Sequence, residues 1–184
     1  MAEHPIVTTD CGRISGRTVD GISEYRGIPI GSIERFEPPK NIAQWNGILE
    51  CNQSYSYPQN LDYVKLEFQY LPKINSLESL KFSCEHELRL CVHSPENSAN
   101  LPVMVWIHGG SYISGGPAEY PGTNELVKRG NIVLVSIQYR LGILGFFSYE
   151  KSSEIFGNFG LQDQLFALDW VKRNIKNFGG DRLG

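Results

Sequence analysis

Residues Trp106 to Gly116 read "WIHGGSYISGG", a histidine and two glycine pairs placed directly after the apolar run "LPVMVWI". A glycine-rich turn behind a strand lets backbone N–H groups approach a ligand closely, because no Cβ stands in the way. Amides presented in this manner stabilise negative charge. Two chemistries fit that property: a phosphate cradle, or an oxyanion hole that holds the alkoxide developing in acyl transfer. A turn with a purely structural role is the third reading. The phosphate reading is the weaker of the first two, since the stretch lacks the lysine of a P-loop and does not run as G-x-G-x-x-G into a helix.

Little else in the chain offers reactive chemistry. The 4 cysteines, Cys11, Cys51, Cys84 and Cys91, show no C-x-x-C spacing and read as free thiols, so no metal and no cofactor is expected. His4, His86 and His93 read as solvated or structural histidines. Ser111, Ser114 and Ser136 are available hydroxyls, but no G-x-S-x-G occurs anywhere in the 184 residues. A formal net charge of -3 with no run of like charge argues against nucleic acid as a partner. The start "MAEHPIVTTD" has no signal-peptide pattern, and no stretch is apolar for long enough to span a membrane. As written, the chain reads as cytoplasmic. "NQS" at Asn52 fits the glycosylation pattern, which matters only in a secreted chain.

The elements that must position the loop can be read from periodicity. "PIVTTDCGRISGRTV" has a turn at "DCG" between two β-prone runs, an antiparallel start. Residues 34–59 are rich in proline and polar side chains and predict few regular elements. Weak helical spacing around "LDYVKLEFQYL" follows. In "ELRLCVH", Leu88, Leu90 and Val92 alternate, which predicts a half-buried strand. "LPVMVWI" and "IVLVSIQY" are continuous apolar runs and predict two fully buried strands, joined across a helix "TNELVKRG" capped by Thr123 or Asn124 and stopped at Gly130. Such a pair is parallel and belongs to an α/β sheet. "LQDQLFALDWVKRNIKNFGG" predicts a long helix whose core stripe is Leu161, Leu165, Leu168, Val171 and Ile175, ended by Gly179 and Gly180.

Several motifs, in this order, resemble the type-B carboxylesterase and cholinesterase family of the α/β-hydrolase fold: "GRISG", "YRGIPI", "RFEPPK", "WNGI", "LPVMVWIHGG", "VSIQYRLGILGFFS" and "GNFGLQDQLFALDWVKRNIKNFGGD". The last two are long and specific. The resemblance implies one partial α/β-hydrolase domain over residues 1–184, with antiparallel N-terminal strands leading into a mostly parallel sheet flanked by helices. It implies an oxyanion loop of Gly109, Gly110 and Ser111 shaped by His108, in which the N–H groups of Gly110 and Ser111 are the donors. It also implies two structural ion pairs, Arg35 with Glu85 and Arg140 with Asp163.

The same resemblance implies what lies beyond the chain. In that family a serine on a G-x-S-x-G elbow follows the segment matching "FGGD", with an acid and a histidine later. The chain is therefore expected to be an N-terminal fragment of a carboxylic ester hydrolase, truncated before the elbow and inactive alone, its partner a small-molecule ester once completed. The alternative is a non-catalytic adhesion or binding relative. Ser111 stands where the family usually has a third glycine, and would be strained at positive φ by about 1–3 kcal/mol. Tyr57 and Glu87 replace the cysteines of a common family disulfide. No tryptophan lies between Pro58 and His86, so cation–π binding of choline is not expected. A sheet ending at this point is expected to leave an apolar edge prone to aggregation.

Overall fold

A computed structural model describes residues 4–60, 82–117, 122–151 and 153–181. The helical spacing read around "LDYVKLEFQYL" lies outside the described residues.

Two short strands open the chain, β1 (Ile6–Thr8) and β2 (Arg13–Ser15), antiparallel across a turn closed by the Thr9 N–H donating to Gly12 O at 2.9 Å. β3 (Arg17–Val19) and β4 (Ile22–Ser32) form a hairpin through Asp20 and Gly21, at φ +52° and +79°. An Asp-Gly pair tolerates both positive φ values, and that twist matches the flanking strands. The segment at 34–59 is largely irregular and holds only the short strands β5 (Lys40–Asn41) and β6 (Ile48–Glu50).

β7 (Glu87–Pro95), β8 (Val103–Ile107) and β9 (Val133–Ile137) complete the main sheet, whose order is β3-β4-β7-β9-β8, with β5 on β4. β8 and β9 are parallel, in register from Val103 opposite Val133 to Ile107 opposite Ile137, and helix α1 (Thr123–Gly130) joins them. The parallel part of the sheet begins with this pair. α2 (Gly142–Phe146), a ribbon of β10 (Tyr149–Lys151) and β11 (Glu154–Phe156), α3 (Phe159–Asn174) and a 3-10 turn (Ile175–Phe178) follow.

The alternation of β9 assigns the two helices to opposite faces. Val133, Val135 and Ile137 pack into the large core with Ala167, Trp170 and Val171 of α3. Leu134 turns the other way, onto Val127 of α1 and Ile22. Helices on both faces of one sheet define the α/β class.

Burial departs from the sequence pattern in three places. β7 is covered on both faces, since Cys91 and His93 are buried as well as Leu88, Leu90 and Val92; alternation cannot show that two neighbouring strands and α1 enclose it. β8 is an edge strand with Met104 and Ile107 36% and 44% exposed, because its sole strand partner among the described residues is β9. In α3 the leucine stripe faces outward, Leu165 at 67% exposure, while Phe159, Asp163, Ala167, Trp170 and Asn174 point into the core. Asp163 and Asn174 hold that inner face because each is satisfied. Asn174 accepts the Asp10 N–H at 2.8 Å and donates to Trp170 O at 3.0 Å. The α1 cap differs too: Gly122, at φ +87°, is the N-cap with no side-chain bond, and Asn124 instead donates to Glu24 Oε1 at 2.6 Å.

Candidate functional site

The glycine loop leaves the C-terminal end of β8 and folds back on itself. Gly110 O accepts the N–H groups of Ile113 and Ser114, both at 3.0 Å, and the Ser114 hydroxyl at 3.2 Å. Gly110 lies at φ +105°, and a Cβ there would meet Ser114 O at 2.1 Å. Gly115, at φ +120°, lies flat against the preceding histidine, where a Cβ would stand 2.2 Å from His108 Nδ1. Among the described residues the N–H groups of Gly109, Gly110 and Ser111 make no hydrogen bond, whereas those of Ile113, Ser114 and Gly115 are all used. The turn therefore engages the amides of Ile113 to Gly115 and leaves those of Gly109 to Ser111 available.

Ser111 and Tyr112 both occupy the left-handed region, at φ +53° and +64°. Tyr112 is anchored there, its carbonyl accepting the Gly142 N–H at 2.6 Å and its ring 4.7 Å from that of Phe146. Ser111 is exposed and has no such anchor. Left-handed backbone costs an L-residue about 1–2 kcal/mol, partly offset in a glycine variant by the freer unfolded chain. Ser111→Gly should raise stability by up to about 1 kcal/mol, a Tm increase of about 2–4 °C in a thermal melt.

His108 is buried. Its Nδ1–H donates to Gly109 O at 2.8 Å, and its ring stacks on Tyr139 with centroids 4.3 Å apart. The Tyr139 hydroxyl donates in turn to His108 O at 2.8 Å. Burial pushes the imidazole down to about 4, against the pull of the Gly109 carbonyl. His108 is thus neutral near pH 7 and shapes the loop without adding charge.

The charged residues singled out in the sequence fall into two pairs. Arg35 grips Glu85 through Nε and Nη2, the latter at 2.9 Å to Oε2, on the surface. The hydrogen bonds of that arginine, and its charge, hold the Glu85 carboxyl below its usual range despite the opposing effect of burial. Arg140 and Asp163 meet inside the protein, 1% and 0% exposed at the side chain, with Nε and Nη2 at 2.8 Å and 2.7 Å and the Arg140 N–H at 2.9 Å from the carboxylate. Arg140 Nη1 also reaches Glu37 O at 2.7 Å, which ties the irregular segment to the end of β9.

No nucleophile is assembled nearby among the described residues. Among the described residues no histidine ring nitrogen bonds a serine hydroxyl, and no group of three or more His, Cys, Asp or Glu side chains could hold a metal ion. Burial pushes the Cys51 thiol up to about 12 and that of Cys11 up to about 11, so neither supplies a thiolate. All 4 cysteines are free thiols. Tyr57, at one of the positions compared with the family disulfide, donates its hydroxyl to Glu85 O at 2.6 Å, while Glu87 pairs with Arg89.

Two features escaped the sequence reading. Gln59 brackets Gly115 with its side-chain amide, a contact that spans 56 residues and leaves no periodic trace. Glu24 is buried beside Arg17 at 2.8 Å, Arg26 at 3.1 Å and Asn124, and these partners hold its carboxyl low against the upward push of burial.

A sheet whose parallel part begins at β8 and β9, helices on both faces and a glycine loop after β8 are the features of an α/β hydrolase. The chain belongs to the carboxylesterase family, whose model matches residues 3–183. It is 37% identical to the para-nitrobenzyl esterase of Bacillus subtilis over 97% of this chain and 36% of that one. It is also 37% identical to the cocaine esterase of Homo sapiens, over 96% and 34%. The fold superposes on a solved PNB esterase with a TM-score of 0.82 at 35% identity, covering 97% of this chain and 37% of the other. The chain thus spans about a third of the length of the curated relatives it matches. No described helix is long and apolar enough to cross a membrane.

Proposed function

We propose that residues 1–184 form one partial α/β-hydrolase domain that carries the oxyanion-binding half of a carboxylic ester hydrolase. The N–H groups of Gly110 and Ser111 are the donors, with His108 and Gly109 shaping the turn. One observation carries the reading: the N–H groups of Gly109, Gly110 and Ser111 make no hydrogen bond among the described residues, while those of Ile113, Ser114 and Gly115 are engaged. Free donors on a preorganised turn beside a neutral, buried histidine suit a developing alkoxide and cost no reorganisation when charge appears. The substrate class is a small carboxylic ester. Arg35 with Glu85 and Arg140 with Asp163 act as structural ion pairs that hold the flanking segments.

The described residues bring no nucleophile to the loop, and loss of the triad costs a serine hydrolase on the order of 10⁶-fold in turnover. The 184-residue chain should therefore hydrolyse p-nitrophenyl acetate no faster than a heat-treated control. If the transcript continues past Gly184 into a G-x-S-x-G and a later acid and histidine, the longer chain should hydrolyse that ester. Serine-dependent turnover by the short chain, or an inactive long chain with an intact triad, would count against the reading.

A further inference from the structure

We propose that Gln59 is the positioning residue of the glycine loop, fixing Gly115 and through it the His108–Gly109 peptide; the importance of that placement rests on the oxyanion reading above. The carboxamide of Gln59 makes a closed pair of hydrogen bonds with one residue, its Oε1 accepting the Gly115 N–H at 2.7 Å and its Nε2 donating to Gly115 O at 2.8 Å. The remaining Nε2 proton goes to Tyr57 O at 3.1 Å. Three bonds on one planar group leave it a single orientation, as a neighbouring strand would.

What Gln59 holds is a tightly packed point of the loop. Gly115 packs so closely that an added Cβ would lie 2.2 Å from His108 Nδ1 and 2.6 Å from Gly109 O. Those are the two atoms of the 2.8 Å bond that sets the histidine ring. Gly115 cannot move toward the loop base without breaking that bond, and Gln59 keeps it from moving away. A residue in the irregular segment after β6 thereby sets where the amides of Gly109 to Ser111 point. Only a side chain that both donates and accepts can do this. Glutamate at position 59 would set a carboxylate oxygen against the carbonyls of Gly115 and Tyr57, and asparagine is one methylene too short.

The experiment is amide hydrogen exchange by NMR on the whole chain, comparing the wild type with Gln59→Ala, Gln59→Glu and Gln59→Asn. In the wild type the side-chain amide protons of Gln59 should show cross-peaks to Gly115, a signature that needs no variant. In all three variants exchange at Ile113, Ser114 and Gly115 should quicken by at least tenfold, and the amide shifts of Gly109 to Ser111 should move. Exchange at Val133 to Ile137 should change by less than threefold. Exchange that quickens at Gly115 alone, or equally across β9, would overturn the proposal, as would missing cross-peaks or wild-type protection in Gln59→Glu. These readouts report the loop's position and require no anion. A loop fixed by Gln59 that lends no rate to a longer chain would end the oxyanion reading and leave this one standing.

Discussion

Replacing Asp163 by Asn should cost about 3–5 kcal/mol, enough to remove most of the stability of a domain this size. The carboxylate is wholly buried and takes three bonds from Arg140, two from the guanidinium and one from the backbone. Burial pushes the Asp163 carboxyl above its usual range, against the pull of Arg140, so the pair as a whole is no large source of stability. Removing one partner is another matter. Arg140 would keep its charge in the core with no carboxylate, and its bonds to Glu34 O and Glu37 O, at 3.3 Å and 2.7 Å, cannot neutralise it. Arg140→Met combined with Asp163→Leu should be less damaging than either single change, because no buried charge remains, though the Arg140 N–H loses an acceptor. Urea denaturation of the wild type, Arg140→Met, Asp163→Leu and the double variant gives the coupling, with Asp163→Asn measured beside them. A loss below about 1 kcal/mol for Asp163→Asn would sink the argument.

How far such a pair is legible in sequence depends on what the residues themselves disclose. Composition and periodicity located β9, α3 and the parallel β8–β9 unit, since apolar runs and helical spacing report local preference directly. They did not report the ion pair; the motifs "YRLG" and "GLQDQ" carried it by resemblance. The same spacing placed Val171 and Ile175 in the core, where they lie, but misread the leucines of α3. Leucines at helical intervals predict a core stripe, yet the core took Asp163, Trp170 and Asn174, because Arg140, Asp10 and the Trp170 carbonyl satisfied the polar ones. β8 shows a second limit. Five consecutive apolar residues, Val103 to Ile107, specify a strand but not whether both of its edges are paired. In the loop, "HGGSYISGG" disclosed its glycines, while Gln59, on which Gly115 depends, lies too far along the chain for any spacing rule to reach.

Stability should also fall steeply as pH drops from about 6.5 to about 4, and His108 should be a main cause. Folding lowers its pKa from 6.5 to about 4 by burial, so the unfolded chain binds the proton more readily. A group depressed in this way contributes its full stability above the unfolded value, loses it progressively below 6.5, and retains none once the folded value is passed. The gap corresponds to about 3 kcal/mol for this one residue. His93 is driven the same way, by burial and by Arg26 and Arg17, with Glu24 opposing, and adds to the slope over the same window. Asp163, raised by burial, works in the opposite sense and tempers the total. Urea midpoints at pH 7.5, 5.5 and 4.0 should therefore decline, and His108→Gln should flatten the decline even if it lowers stability at pH 7.5. A wild-type midpoint that stays level across this range would refute the assignment. The physical cost falls on the loop first. A protonated His108 must find water for its charge, and the ring can reach it only by leaving Tyr139 and Gly115, the contacts that hold the amides of Gly109 to Ser111 in place.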